Sequence, residues 1–89
     1  MLYALICRDK PGALQTRLDT REAHLAHIRQ SGIVAMAGPL IEDGEMRGSL
    51  VILDAETLEQ AQAWADADPY KAAGLFASVQ LNEWKKVIG

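Results

Sequence analysis

Apolar residues come in two rhythms along this chain, short runs or alternations and a three-to-four spacing, and each rhythm predicts an element. Leu2-Tyr3-Ala4-Leu5-Ile6-Cys7 is an apolar run without helix punctuation, which predicts a buried first strand closed by Asp9-Lys10-Pro11-Gly12. A polar connection carrying Arg17 leads into a helix expected from about Thr20 to Ser31. Asp19 followed by Glu22 has the form of a capping box, and Gly32 suits the position just past the helix end. Leu25 and Ile28 define the apolar face of this helix, with Arg21 on the same stripe. At about 100° per residue, His24 falls about 70° from the centre of that face and His27 about 130° away. His24 is therefore expected on the boundary and His27 in solvent.

Ile33-Val34-Ala35-Met36-Ala37 predicts a second strand ending at Gly38-Pro39, because proline cannot donate to a ladder. Asp43-Gly44 between apolar runs signals a hairpin, and the third strand follows from about Arg47 to Leu53. Thr57 with Gln60 forms a second capping box, behind which Leu58, Ala61, Trp64 and Ala65 share one helical stripe. Pro69 stops that helix and pushes Asp68 out of helical dihedrals, leaving a carboxylate near the negative end of the helix dipole. From about Phe76 to Glu83, Ala77, Val79 and Leu81 alternate with Ser78, Gln80 and Asn82, predicting a final strand.

The order β-α-β-β-α-β is the split βαβ arrangement of an α+β, ferredoxin-like sandwich with a four-stranded antiparallel sheet. Two helices on one face leave the other uncovered, yet strands one and three are apolar on both faces. A second copy of the chain is the simplest cover, so a homodimer is expected.

Size and charge narrow the classes. Residues 1–89 are expected to form a single domain, and 49% of them are hydrophobic, which again favours self-association in so small a fold. A net charge of -3 with scattered arginines argues against nucleic acid as a partner. No targeting segment or membrane-length apolar run is found, which makes the cytoplasm the expected compartment and a membrane an unexpected partner. Cys7, alone in an apolar run, reads as a small buried hydrophobe.

The candidate chemistry is sparse. There is no nucleophile elbow and no glycine-rich phosphate loop, and two histidines three residues apart lack a third ligand, so neither metal nor cofactor is expected. What remains is a histidine and an aspartate, suited to acid–base work if they meet; a structural histidine and a turn aspartate are the plain alternatives.

Arg17, Arg21-Glu22-Ala23-His24-Leu25, Ala37-Gly38-Pro39, Gly48-Ser49 and the stretch Ala65 to Gly74 together resemble the YciI-like (YCII-related) family, over nearly the whole chain. The resemblance implies a ferredoxin-like protomer dimerising into an α/β barrel, and a pocket with a histidine–aspartate acid–base pair, here His24 and Asp68. Asp66 is the fallback partner. Arg17, Gly38, Pro39, Ser49 and Tyr70 match signature positions that would line the pocket, with Arg17 expected to hold an anionic or phenolic oxygen. His27 matches no family motif, and the segment from Leu40 to Arg47 is shorter than in many relatives. Some relatives are lyases that eliminate halide from hydroxylated aromatics, and most have no assigned reaction. The expected function is thus cofactor-independent proton transfer, of lyase or isomerase type, on a small aromatic or lactone-like molecule. The alternative is a non-catalytic small-molecule-binding or regulatory module on the same dimeric fold.

Overall fold

In the computed structural model, which describes residues 1–89, the elements run β1 (Leu2–Asp9), α1 (Leu14–Ser31), β2 (Val34–Glu42), β3 (Glu45–Asp54), α2 (Leu58–Asp66), α3 (Pro69–Ala72) and β4 (Phe76–Trp84). The sheet is antiparallel with strand order β2-β3-β1-β4, so the fold is the ferredoxin-like α+β arrangement with one short helix added. Alternation decides its two faces. Tyr3, Leu5 and Cys7 of β1, with Val51 and Leu53 of β3, point to the helical side and pack with Ala61, Trp64 and Ala65 of α2. On the opposite face, register places Ile6 beside Leu50 and Ile52 beside Ala4 and Met36. That face stays open, with Met36 59%, Leu50 38% and Trp84 41% exposed.

Three boundaries differ from those read in the sequence. Helix α1 starts at Leu14, not near Thr20, behind an Ala13 cap whose side chain makes no hydrogen bond. Asp19 is inside the helix, where its carboxylate accepts a hydrogen bond from Gln15 Nε2 at 2.8 Å, so the Asp19–Glu22 pattern is an exposed helical pair and not a cap. Strand β2 continues through Gly38-Pro39 to Glu42, because β2 is an edge strand, where a missing donor is tolerated. Pro69 does end α2, but it also opens α3 as its first residue, a position for which its fixed φ is pre-set. Asp68 is therefore the N-cap of α3, a favourable place for an anion, and not a carboxylate stranded at a helix C-terminus.

The turn chemistry is as the sequence predicts. Asp43 and Gly44 have φ of 51° and 75°, the mirror-image two-residue turn that matches strand twist. Thr57 caps α2 by accepting from the Gln60 N–H at 3.1 Å, while Gln60 Oε1 accepts from the Glu56 N–H. Gly48 has a packing reason: a Cβ there would collide with the Cys7 carbonyl oxygen on β1.

Candidate active site

The site grows from the buried side of α1. Arg17 and His24 lie two turns apart and are the buried residues of this helix. Its inward face is thus centred on polar groups, and His24, only 7% exposed, is buried and not at the boundary.

A buried arginine needs a counter-charge, and the end of β1 supplies it. Arg17 Nε donates to Asp9 Oδ2 at 2.7 Å and Nη2 to Asp9 Oδ1 at 2.8 Å, a two-pronged ion pair with both side chains about 95% or more buried. Nη2 also donates to Ser49 Oγ at 2.8 Å. Burial works against the guanidinium charge, but the hydrogen bonds and charge of Asp9 outweigh it and raise the Arg17 pKa. The guanidinium carbon lies 4.7 Å from the centre of the Tyr70 ring, a cation–π contact.

Tyr70 links this pair to the histidine. Its ring stacks on His24 with centroids 4.0 Å apart and planes 17° from parallel, and Phe76 abuts it edge-on at 6.0 Å. Burial raises the Tyr70 pKa; Arg17 opposes that shift and Asp68 reinforces it, so the phenol stays protonated at neutral pH.

His24 Nδ1 lies 2.9 Å from Asp68 Oδ1, and the same oxygen accepts the Tyr70 backbone N–H at 3.0 Å. With Asp68 ionised, Nδ1 carries the hydrogen, an assignment made from the network. Nε2 then presents a lone pair. It has no partner within the chain, and no buried polar side-chain atom is left unsatisfied, so Nε2 is open to the exterior.

It opens on a cavity of about 150 Å³. Arg17, His24, Gly38, Pro39, Ser49 and Tyr70 all border this cavity, while Asp68 lies behind His24 and is not part of the wall. A larger hollow of about 370 Å³, between the β1–α1 loop and the β2–β3 hairpin, contains neither histidine. Ion pairs already occupy its rim, Arg8 with Glu42 at 2.8 Å and Arg47 with Glu45 at 3.3 Å. The smaller cavity is the one that His24 borders.

Other candidates fall away from it. Asp66 is exposed and bound to Lys71 Nζ at 2.7 Å and to Gln62, which lowers its pKa; it does not touch His24. His27 is not solvated: its Nε2 is 3.0 Å from the Trp64 carbonyl oxygen and its ring stacks on Trp64 at 4.4 Å. The reason is α2, which covers the side of α1 that a lone helix would show to water. Cys7 is buried as expected, its thiol pushed up to about 12 chiefly by burial and further by Asp68, so it is no nucleophile at neutral pH. No cluster of three or more metal-ligating side chains forms, and no helix is long and apolar enough to cross a membrane.

The residue that sequence reasoning missed is Asp9. It sits beside Lys10-Pro11-Gly12, where any aspartate reads as turn chemistry. No local signal marks it, because Arg17 reads as part of a polar connection until the structure shows it buried and in need of a counter-charge.

Comparison with known proteins places this geometry. The model of the YCII-related domain matches residues 1–85. Protein YciI of Escherichia coli O6:H1 is 42% identical over 97 residues, covering 98% of this chain and 99% of that one. An uncharacterized protein of Haemophilus influenzae is 37% identical with the same coverage. Among solved structures, the 5-chloro-2-hydroxyhydroquinone dehydrochlorinase TftG of Burkholderia phenoliruptrix AC1100, in complex with 2,5-dihydroxybenzoquinone, matches with a TM-score of 0.86 at 34% identity, over 96% of this chain and 94% of that one. An antibiotic biosynthesis monooxygenase, at 12% identity and a TM-score of 0.60 over 97% and 100% of the two chains, shares the fold alone. On the extent of these matches, the chain belongs to the family of YCII-related domain proteins.

Proposed function

We propose that this protein is a cofactor-independent enzyme that moves protons on a small, single-ring hydroxylated molecule, in a lyase or isomerase step, and that it works as a homodimer. One observation carries the reading: a buried carboxylate fixes His24 through Nδ1 while Nε2 faces a cavity without a partner. That is the arrangement of a general base whose tautomer and direction are preset, with Asp68 stabilising the imidazolium that forms. Arg17 and Tyr70 border the cavity on the helical side, and Ser49 of β3 borders it beside its cross-strand neighbour Pro39 and Gly38 of β2. The volume supports a single ring, since a cavity of about 150 Å³ is enough for benzene.

The likeness to a dehydrochlorinase supports elimination of a halide as the reaction. His24 Nε2 would take a proton from a ring hydroxyl and return it to the halogen-bearing carbon, giving a keto tautomer. Loss of a second hydroxyl proton to Nε2 would then push an electron pair through the ring as the carbon–halogen pair departs with the halide. The ring ends as a quinone, one equivalent of hydrogen halide is released, and no external oxidant is needed. Incubation with 5-chloro-2-hydroxyhydroquinone, followed by a chloride electrode, tests this. Chloride release that disappears in His24→Ala is the expected result. Binding without turnover, unchanged in that variant, would replace the enzyme with a non-catalytic binding module.

A further inference from the structure

Arg17 and Arg21 both border the cavity, yet their charges are not equally available. Arg17 is committed to Asp9 and Ser49. Arg21, one turn further along α1, is exposed and takes part in no ion pair or side-chain hydrogen bond in the chain. No carboxylate borders the cavity, because Asp9 and Asp68 both lie behind the groups that do. The hollow therefore has a single unneutralised permanent cation at its edge.

We infer that Arg21 is the specificity-determining residue of this cavity, and that its ligand is a single-ring molecule carrying an oxygen ionised at neutral pH. Arg21, His24 and Ile28 succeed one another at three- and four-residue steps along α1, so they follow one stripe of the helix along the cavity. A ring lying along that stripe would put its anionic oxygen on the guanidinium while another hydroxyl reaches Nε2 of His24. Arg21 also lies close enough to Tyr70, which borders the same cavity, for its charge to oppose part of the rise that burial causes in the phenol's pKa. Arg17 then has the different task of holding the wall on which Tyr70 rests. A guanidinium suits this use, because it stays charged and its fork matches planar oxygen acceptors.

The inference rests on reading this cavity as the substrate site, and a binding measurement separates the two. The probes are 2,5-dihydroxybenzoquinone, whose vinylogous-acid hydroxyls are ionised at neutral pH, and hydroquinone, which is neutral there. Calorimetric titration of the full chain should show that Arg21→Gln weakens binding of the anionic probe by roughly 10-fold or more, the scale of one hydrogen bond to a charged group. Arg21→Lys should recover part of it, and the effect on hydroquinone should be less than about 2-fold, as for a surface change that touches no contact. Circular dichroism of each variant should match the wild type, since Arg21 is exposed. Equal losses for both probes, no loss for the anion, or no binding of the anion to the wild-type chain would each overturn the inference. Selective anion binding without chloride release would leave Arg21 in place and remove only the proposed reaction.

Discussion

Asp68 meets His24 through the same carboxylate oxygen that caps α3, at 2.9 Å to the ring nitrogen and 3.0 Å to the Tyr70 N–H. The oxygen's position is set by a helix terminus, so the imidazole is aimed by backbone geometry and not by a freely rotating side chain. Given a substrate, His24→Ala should lower the rate by roughly 10²–10⁴, and Asp68→Asn should also lower it while keeping the cap. Groups acting as a unit are strongly non-additive, so the double variant should be little worse than the worse single one. Additive losses in single-turnover kinetics would separate the two residues.

The Asp9–Arg17 pair should matter more to stability than to chemistry. Asp9→Ala leaves a guanidinium buried without its counter-charge, and such a break costs about 3–5 kcal/mol. Removing both charges with apolar residues of similar volume should restore much of that. Urea unfolding of the single and double variants measures the coupling; a loss under 1 kcal/mol on Asp9→Ala, the scale of an exposed pair, would show that the ion pair is not closed in solution.

His27→Ala should destabilise the fold by about 1–2 kcal/mol, from the lost hydrogen bond to Trp64 and the lost ring contact, without changing ligand affinity. Thermal unfolding and calorimetric binding on one sample give both numbers.

The thiol of Cys7 predicts a pH dependence. Its pKa rises from 9.0 to about 12 on folding, so above pH 9 the unfolded chain ionises first and holds fewer protons than the native one. Stability should therefore be insensitive to this group below pH 9 and fall as pH rises towards about 12. Cys7→Ala should flatten that slope, which urea midpoints between about pH 8 and pH 11 will show.

The open sheet face should bring two copies together. Sedimentation should give twice the chain mass of 9.7 kDa. Leu50→Asp, which sets a charge in the middle of the exposed apolar face, should drive the protein to monomer.

What could be read from the sequence was whatever is local. The Asp43-Gly44 hairpin, the Gly32 and Thr57 caps and the alternation of β4 depend on residues within a few positions of one another. The pairing of His24 with Asp68 came from family resemblance, because nothing in their spacing says that two distant residues meet. Long-range burial was the part that misled. The inward face of α1 is marked by Arg17 and His24, which a hydropathy wheel counts as outward, so the wheel centred on Leu25 and Ile28 left His24 at the margin. Asp9 was hidden for the same reason: its role exists only once Arg17 has folded over it.

The central position of β1 sets the order in which this molecule can be completed. One side of β1 is bonded to β3 and the other to β4, whose final residue is Trp84. A nascent chain therefore carries a bare, strongly apolar strand edge from the time β1 is made until β4 has emerged as well, and such an edge invites pairing with other chains. Closing it requires contacts between distant parts of the sequence, the kind that slow folding. It is the fourth strand of the sheet, β4, that takes the first out of circulation.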